Sequence, residues 1–96
     1  MPQYLILAKD GKDNEAPNRR EAARPFHLET VKALKANENF IIGGATLNEN
    51  GEMNGSMMVV EFENETALNE WLQNDPYVRK GVWEDFEVKP FRIANV

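Results

Sequence analysis

With 96 residues the chain has room for one domain, spanning 1–96 and built round one core. It carries no cysteine, which excludes a disulfide framework, a thiolate zinc site and a cysteine nucleophile, and suits a reducing compartment. Acidic residues outnumber basic ones 16 to 11, and the net charge of −5 repels a phosphate backbone, so nucleic acid is not expected as a partner.

The opening Met1-Pro2-Gln3-Tyr4 lacks the basic stretch and apolar core of a signal peptide. No apolar run approaches the roughly 20 residues that span a bilayer. The expectation is a cytoplasmic chain with no membrane partner. Arg19, Arg20 and Arg24 cluster, enough to hold one anionic ligand but too few for a nucleic-acid track.

Tyr4-Leu5-Ile6-Leu7-Ala8 reads as a first strand, closed by the polar loop Lys9-Asp10-Gly11-Lys12-Asp13-Asn14. Asn18-Arg19-Arg20-Glu21 has capping-box spacing, so a helical turn is expected to open there. Pro25 removes a helical hydrogen bond, and the spacing predicts a kink near it, followed by the main helix to about Asn37. Phe40 to Leu47 reads as a second strand, bulged at Gly43-Gly44. Asn48 to Glu52 supplies a hairpin turn, and Ser56 to Phe62 a third strand that Ser56 opens. Asn64 caps a short helix carrying Leu68, Trp71 and Leu72 on one side, and Asp75-Pro76 opens a further turn to about Lys80. Trp83 to Phe91 is a fourth strand, with Pro90 marking an edge or a strand end.

The order is β-α-β-β-α-β, an α+β fold of ferredoxin-like type: an antiparallel sheet with helices on one face. Strands one and three are apolar on both faces, Leu5 and Leu7 backing Tyr4 and Ile6, and Met57 and Val59 backing Met58, Val60 and Phe62. A half-exposed sheet alternates apolar and polar residues. The second apolar face therefore predicts a homodimer, with higher assembly left open.

On a helical wheel His27, the only histidine, falls in the middle of the stripe Ala23, Thr30, Val31 and Leu34, so it points toward the sheet. Arg24 lies one turn back, on the shoulder of that stripe, where a helix start also attracts anions. A buried histidine satisfied within the core fits the same pattern. Capping alone accounts for Asp75-Pro76; a carboxylate there could also hold a histidine in one tautomer and stabilise its protonated form. Gly43 and Gly44 permit close backbone approach to a ligand, and Ser56 could face the same cavity. Tyr77, Trp71 and Trp83 read as core. With one histidine and no cysteine, no metal site is expected, and no phosphate loop or nucleophile elbow is present.

Four separated segments, Arg24-Pro25-Phe26-His27-Leu28, Gly43-Gly44, Asp75-Pro76-Tyr77-Val78 with Gly81-Val82-Trp83, and Val88-Lys89-Pro90-Phe91, resemble the YciI-like (YCII-related) family over nearly the whole chain. The resemblance implies a dimeric α/β-barrel type of ferredoxin-like fold. It also implies an active site in which His27 and Asp75 are the catalytic pair, and it places Arg24 at a motif position. The family often carries Gly-Pro where this chain has Gly43-Gly44-Ala45, which changes the local pocket. A few relatives look like muconolactone isomerases and dehydrochlorinases.

Two functions stand at this point. One is an enzyme without cofactor, of lyase, isomerase or hydrolase type, with His27 moving a proton, Asp75 orienting it, and Arg24, Gly43, Gly44 and Ser56 binding a small, anionic metabolite. The other is a module that binds a small ligand without changing it. A cofactor-free monooxygenase is a further variant. An RNA-recognition module would need aromatic and basic positions that Met57-Met58-Val59-Val60-Glu61 lacks.

Overall fold

The computed structural model describes all residues, 1–96. In chain order the elements are β1 (Gln3–Asp10), α1 (Ala16–Ala36), β2 (Phe40–Leu47), β3 (Met53–Glu61), α2 (Glu65–Asn74), α3 (Pro76–Arg79) and β4 (Trp83–Phe91). The sheet order is β2-β3-β1-β4 with every pair antiparallel, the ferredoxin-like topology expected from the sequence. β4 lies at an edge, where Pro90 costs no ladder hydrogen bond to an outer neighbour.

Strand period two assigns the sheet's faces. Tyr4, Ile6 and Ala8 of β1 and Met58 and Val60 of β3 are buried beneath the helices, together with Leu34, Leu68, Leu72, Tyr77 and Trp83. Leu5 and Leu7 look the other way, paired in register with Val59 and Met57, and Ile42 sits opposite Val59. The outer face is therefore apolar in its centre, as the lack of alternation in β1 and β3 predicts.

Three local expectations are corrected. First, the helix does not open at an Asn18 capping box: α1 begins three residues earlier, with Glu15 as N-cap and Pro17 in its first turn. Proline's preset φ favours that early start, and the Asn18 amide instead donates to Glu15 Oε2. Second, the main helix does not start near Pro25: α1 is one continuous helix from Ala16 to Ala36 with Pro25 inside it. Glu21 and Pro25 are both exposed, so water can serve the carbonyl that proline leaves unpaired, while the buried stripe of Arg20, Ala23, His27 and Leu34 holds both halves to the sheet. Third, Gly43 and Gly44 pair regularly with Met58 and Met57; the irregularities in β2 flank them, between Phe40 and Ile42 and between Thr46 and Leu47. β3 also starts earlier than expected, placing Ser56 inside the strand and buried.

Turn and cap chemistry otherwise follows the sequence. Asn48 Oδ1 accepts from the amides of Asn50 and Glu52, and Gly51 supplies the positive φ of 79° that closes the hairpin. Asn64 Oδ1 accepts from the Ala67 amide at 2.9 Å as the N-cap of α2. An Asn64→Ala variant is expected to lose about 1 kcal/mol of stability, read as a lowered denaturant midpoint at unchanged slope.

Candidate active site

His27 reaches its position because the α1 stripe faces the sheet, and it is buried there at 7% exposure. Its Nδ1 lies 3.0 and 2.9 Å from Asp75 Oδ1 and Oδ2. Asp75 stands where α2 ends and α3 begins: its amide donates to the Leu72 carbonyl, and its Oδ2 accepts from the Tyr77 amide at 3.0 Å. The capping role and the histidine partnership thus belong to one carboxylate. Thr30 Oγ1, one helical turn from His27, shares its single proton between the His27 carbonyl at 2.7 Å and Asp75 Oδ1 at 2.8 Å.

This set of donors fixes the imidazole tautomer. An ionised carboxylate only accepts, so Nδ1 carries a proton and donates it to Asp75. Nε2 has no protein partner, and it is not among the sealed, unpartnered polar atoms. It opens on a cavity of about 100 Å³ whose walls include Arg24, His27, Gly43, Gly44, Ser56 and Tyr77. All the residues expected from the sequence to bind ligand therefore meet in one place with His27, while Asp75 stands behind the ring. The Tyr77 ring stacks on His27, with centroids 3.8 Å apart and planes 10° apart, and Trp83 approaches edge-on at 6.1 Å. Burial pushes the Tyr77 hydroxyl above its ordinary range, against the pull of Arg20 and Arg24, which keeps it a neutral donor.

The arginine cluster behaves differently from a single anion clamp. Arg19 is taken up by Asp13, at 2.7 Å, and this contact lowers the Asp13 carboxyl to about 2. Arg20 is buried and spent on Asp10. Arg24 alone makes no ion pair; it is exposed at the cavity mouth. Two of the three neighbouring arginines are thus held by carboxylates, which leaves Arg24 as the unpaired one.

Sequence reasoning missed the network beneath the cavity. Arg20 Nη1 donates to both oxygens of Asp10 at 2.9 and 3.0 Å, and Nη2 to the Gly55 carbonyl at 3.0 Å and Ser56 Oγ at 2.9 Å. Trp83 Nε1 donates to the same Ser56 oxygen at 3.2 Å. The Arg20 guanidinium carbon also lies 4.8 Å from the Tyr77 ring centroid. A signal existed: Arg20, Ala23 and His27 share one helical stripe, and a charge on a buried stripe demands a partner. Burial pushes the Asp10 carboxyl upward, with Arg20 pulling the other way. No three histidine, aspartate or glutamate side chains come together in a way that could hold a metal ion.

The model of the YCII-related domain matches residues 2–92. The chain belongs to this family. It is similar to an uncharacterised protein of Haemophilus influenzae, 37% identical over 98 residues, with 93% of this chain and 95% of that one covered. It is 34% identical over 95 residues to Protein YciI of Escherichia coli, with the same coverage of 93% and 95%. Among solved structures it resembles 5-chloro-2-hydroxyhydroquinone dehydrochlorinase (TftG) from Burkholderia phenoliruptrix, in complex with 2,5-dihydroxybenzoquinone. The TM-score is 0.82 at 25% identity, covering 96% of this chain and 95% of that one. A dimeric ferredoxin-like protein from Jannaschia shares the fold, with TM-score 0.59, 11% identity and coverage of 97% and 100%. No helix of the YCII-related chain is long and apolar enough to cross a membrane.

Removing one member of the buried Arg20–Asp10 pair strands the other. Asp10→Ala is expected to cost about 3 kcal/mol, and the double variant with Arg20→Met less than the sum of the two single ones. Urea unfolding of the four proteins of this cycle measures it.

Proposed function

We propose that this YCII-related chain is a small acid–base enzyme that moves a proton on a compact carbonyl or hydroxyl compound, a lyase or isomerase in reaction type. One observation carries the reading: Asp75 holds His27 Nδ1 at 2.9 Å, while Nε2 has no protein partner and faces the cavity. A neutral imidazole so held presents its Nε2 lone pair as a base. Once protonated, the ring is an imidazolium next to a buried carboxylate, which stabilises the charge. Arg24, unpaired at the mouth, supplies a cation for an anionic group of the substrate, and Gly43, Gly44 and Ser56 form the rest of its surroundings. Proton transfer of this kind requires no cofactor. The similarity to TftG, which acts on a chlorinated hydroxyhydroquinone, supports small hydroxylated ring compounds as the substrate class. The cysteine-free composition fits action in the cytoplasm.

The enzyme is proposed to work as a homodimer joined through the outer sheet face. Leu5, Leu7 and Met57 remain only half-buried there, and Ile42 is 58% exposed. A second copy would cover this contiguous apolar surface. Leu7→Lys is expected to give a monomer in sedimentation velocity under conditions where the parent sediments as a dimer. A parent that is monomeric at all concentrations would overturn the assembly.

Catalysis is tested by deuterium incorporation from D2O beside the carbonyl in a panel of small hydroxylated ketones and quinones, followed by NMR. His27→Gln is expected to slow exchange by about 10²- to 10⁴-fold in a folded protein. Exchange unchanged in that variant rules out the base. A parent protein that binds panel members but returns every one without exchange is a binding module, not an enzyme.

A further inference from the structure

Ser56 is the one small polar side chain that both lines the cavity and belongs to the Arg20 network. A serine hydroxyl has one proton to give and two lone pairs to receive with. Here both acceptor positions are filled, by Arg20 Nη2 at 2.9 Å and by Trp83 Nε1 at 3.2 Å. The hydroxyl donates to no group of the protein. The one carbonyl in the network, that of Gly55, accepts from Arg20. With its lone pairs occupied, the oxygen is a poor nucleophile, and its proton is free for a group in the cavity that Ser56 and His27 both line.

We infer that Ser56 is a dedicated hydrogen-bond donor to a substrate oxygen that gains negative charge as His27 takes a proton, which makes the substrate an enolisable carbonyl compound rather than an ester or amide to be attacked. This rests on the acid–base reading of His27 given above. The Arg20 cation and the indole N–H both withdraw electron density from the hydroxyl oxygen, so its proton is a stronger donor than that of a solvated serine. Asp10 fixes the guanidinium that does this, and Arg20 and Trp83 are accordingly positioning residues that act through Ser56.

The step balances without a co-reactant. The C–H bond beside the carbonyl breaks and its proton passes to His27 Nε2. The C–H electron pair forms a C=C bond, and the carbonyl π pair moves onto oxygen, whose new charge meets the Ser56 proton. Where a second C=C bond is conjugated with this enolate, return of the proton from His27 to the far end of that bond restores the carbonyl, shifts the double bond and leaves an isomer; nothing is oxidised or reduced. A donor preset toward the developing charge stabilises the transition state more than the ground state, which is what raises a rate.

The test uses the full chain and 2,5-dihydroxybenzoquinone, a ring that carries carbonyl and enolate oxygens, titrated by its absorbance. Ser56→Ala is expected to weaken binding by about tenfold to a hundredfold, and Ser56→Thr, which keeps a hydroxyl, to restore most of it. Should Ser56→Ala fold poorly, because it strands Arg20 and Trp83, a crystal structure of the parent with the same compound decides: a ligand oxygen within hydrogen-bond distance of Ser56 Oγ is expected. A ligand seated with its oxygens elsewhere, or no binding to the parent at all, overturns the assignment. A phenylmethylsulfonyl fluoride adduct mapped to Ser56 by mass spectrometry also overturns it, since it would show a nucleophile. Affinity unchanged in Ser56→Ala, with deuterium exchange still lost in His27→Gln, sinks the donor role and leaves the acid–base reading standing. Exchange surviving in His27→Gln sinks that reading instead.

Discussion

The Asp75 carboxylate is the constraint round which the rest of the molecule is arranged. Its side chain has no exposed surface, and an ionised group so placed is tolerable only if donors surround it. Three do, His27 Nδ1, Thr30 Oγ1 and the Tyr77 amide, and they come from two separate elements. Two sit on α1, one helical turn apart, so the carboxylate sets the rotation of α1 about its own axis. The third belongs to the first turn of α3, so the break between α2 and α3 is set by the same atoms. A helix boundary and the tautomer of the His27 ring thus share one cause.

A buried ion pair lies on the same α1 stripe, two turns before His27. Arg20 and Asp10 join α1 to the end of β1, and the Tyr77 ring lies against both Arg20 and His27. The layer between helices and sheet is therefore polar and aromatic on the cavity side and aliphatic elsewhere, where Ile6, Val60, Leu68 and Leu72 pack. Such a layer is a poor source of stability, since desolvating an ion pair offsets much of its attraction. Both Nη atoms of Arg20 are held by named partners, while the buried Nε is left without one. The yield is positional: a small core holds a ring, a hydroxyl and a carboxylate in fixed relation.

Legibility in the sequence followed the range of each interaction. The His27 stripe could be read because helix period is local, and Asp75-Pro76 because capping is local. The apolar second face of β1 and β3 could be read because strand period is two. The Arg20–Asp10 pair spans a loop and joins a strand to a helix, so no spacing rule announces it. The capping-box signal at Asn18 failed because Pro17 offered a preset φ one residue earlier, and two weak local preferences competed. Pro25 did not mark the start of the main helix because a buried stripe runs past it and holds both halves to the sheet. Ser56 lines the cavity beside His27, but its two donors are at positions 20 and 83, so its hydrogen bonding lies beyond any reading along the chain.

The glycine pair divides control of the cavity between backbone and side chain. A Cβ at position 43 would lie 2.9 Å from the Met57 carbonyl and 3.0 Å from the Phe40 ring, so glycine there lets β2 close against its neighbour and against that ring. A Cβ at position 44 would meet nothing within 4 Å. The first glycine is thus a packing requirement, and the second leaves open space on an edge strand, where a change of residue disturbs the fewest partners. The groups that handle charge, by contrast, are deep and mutually hydrogen-bonded, so altering one alters several.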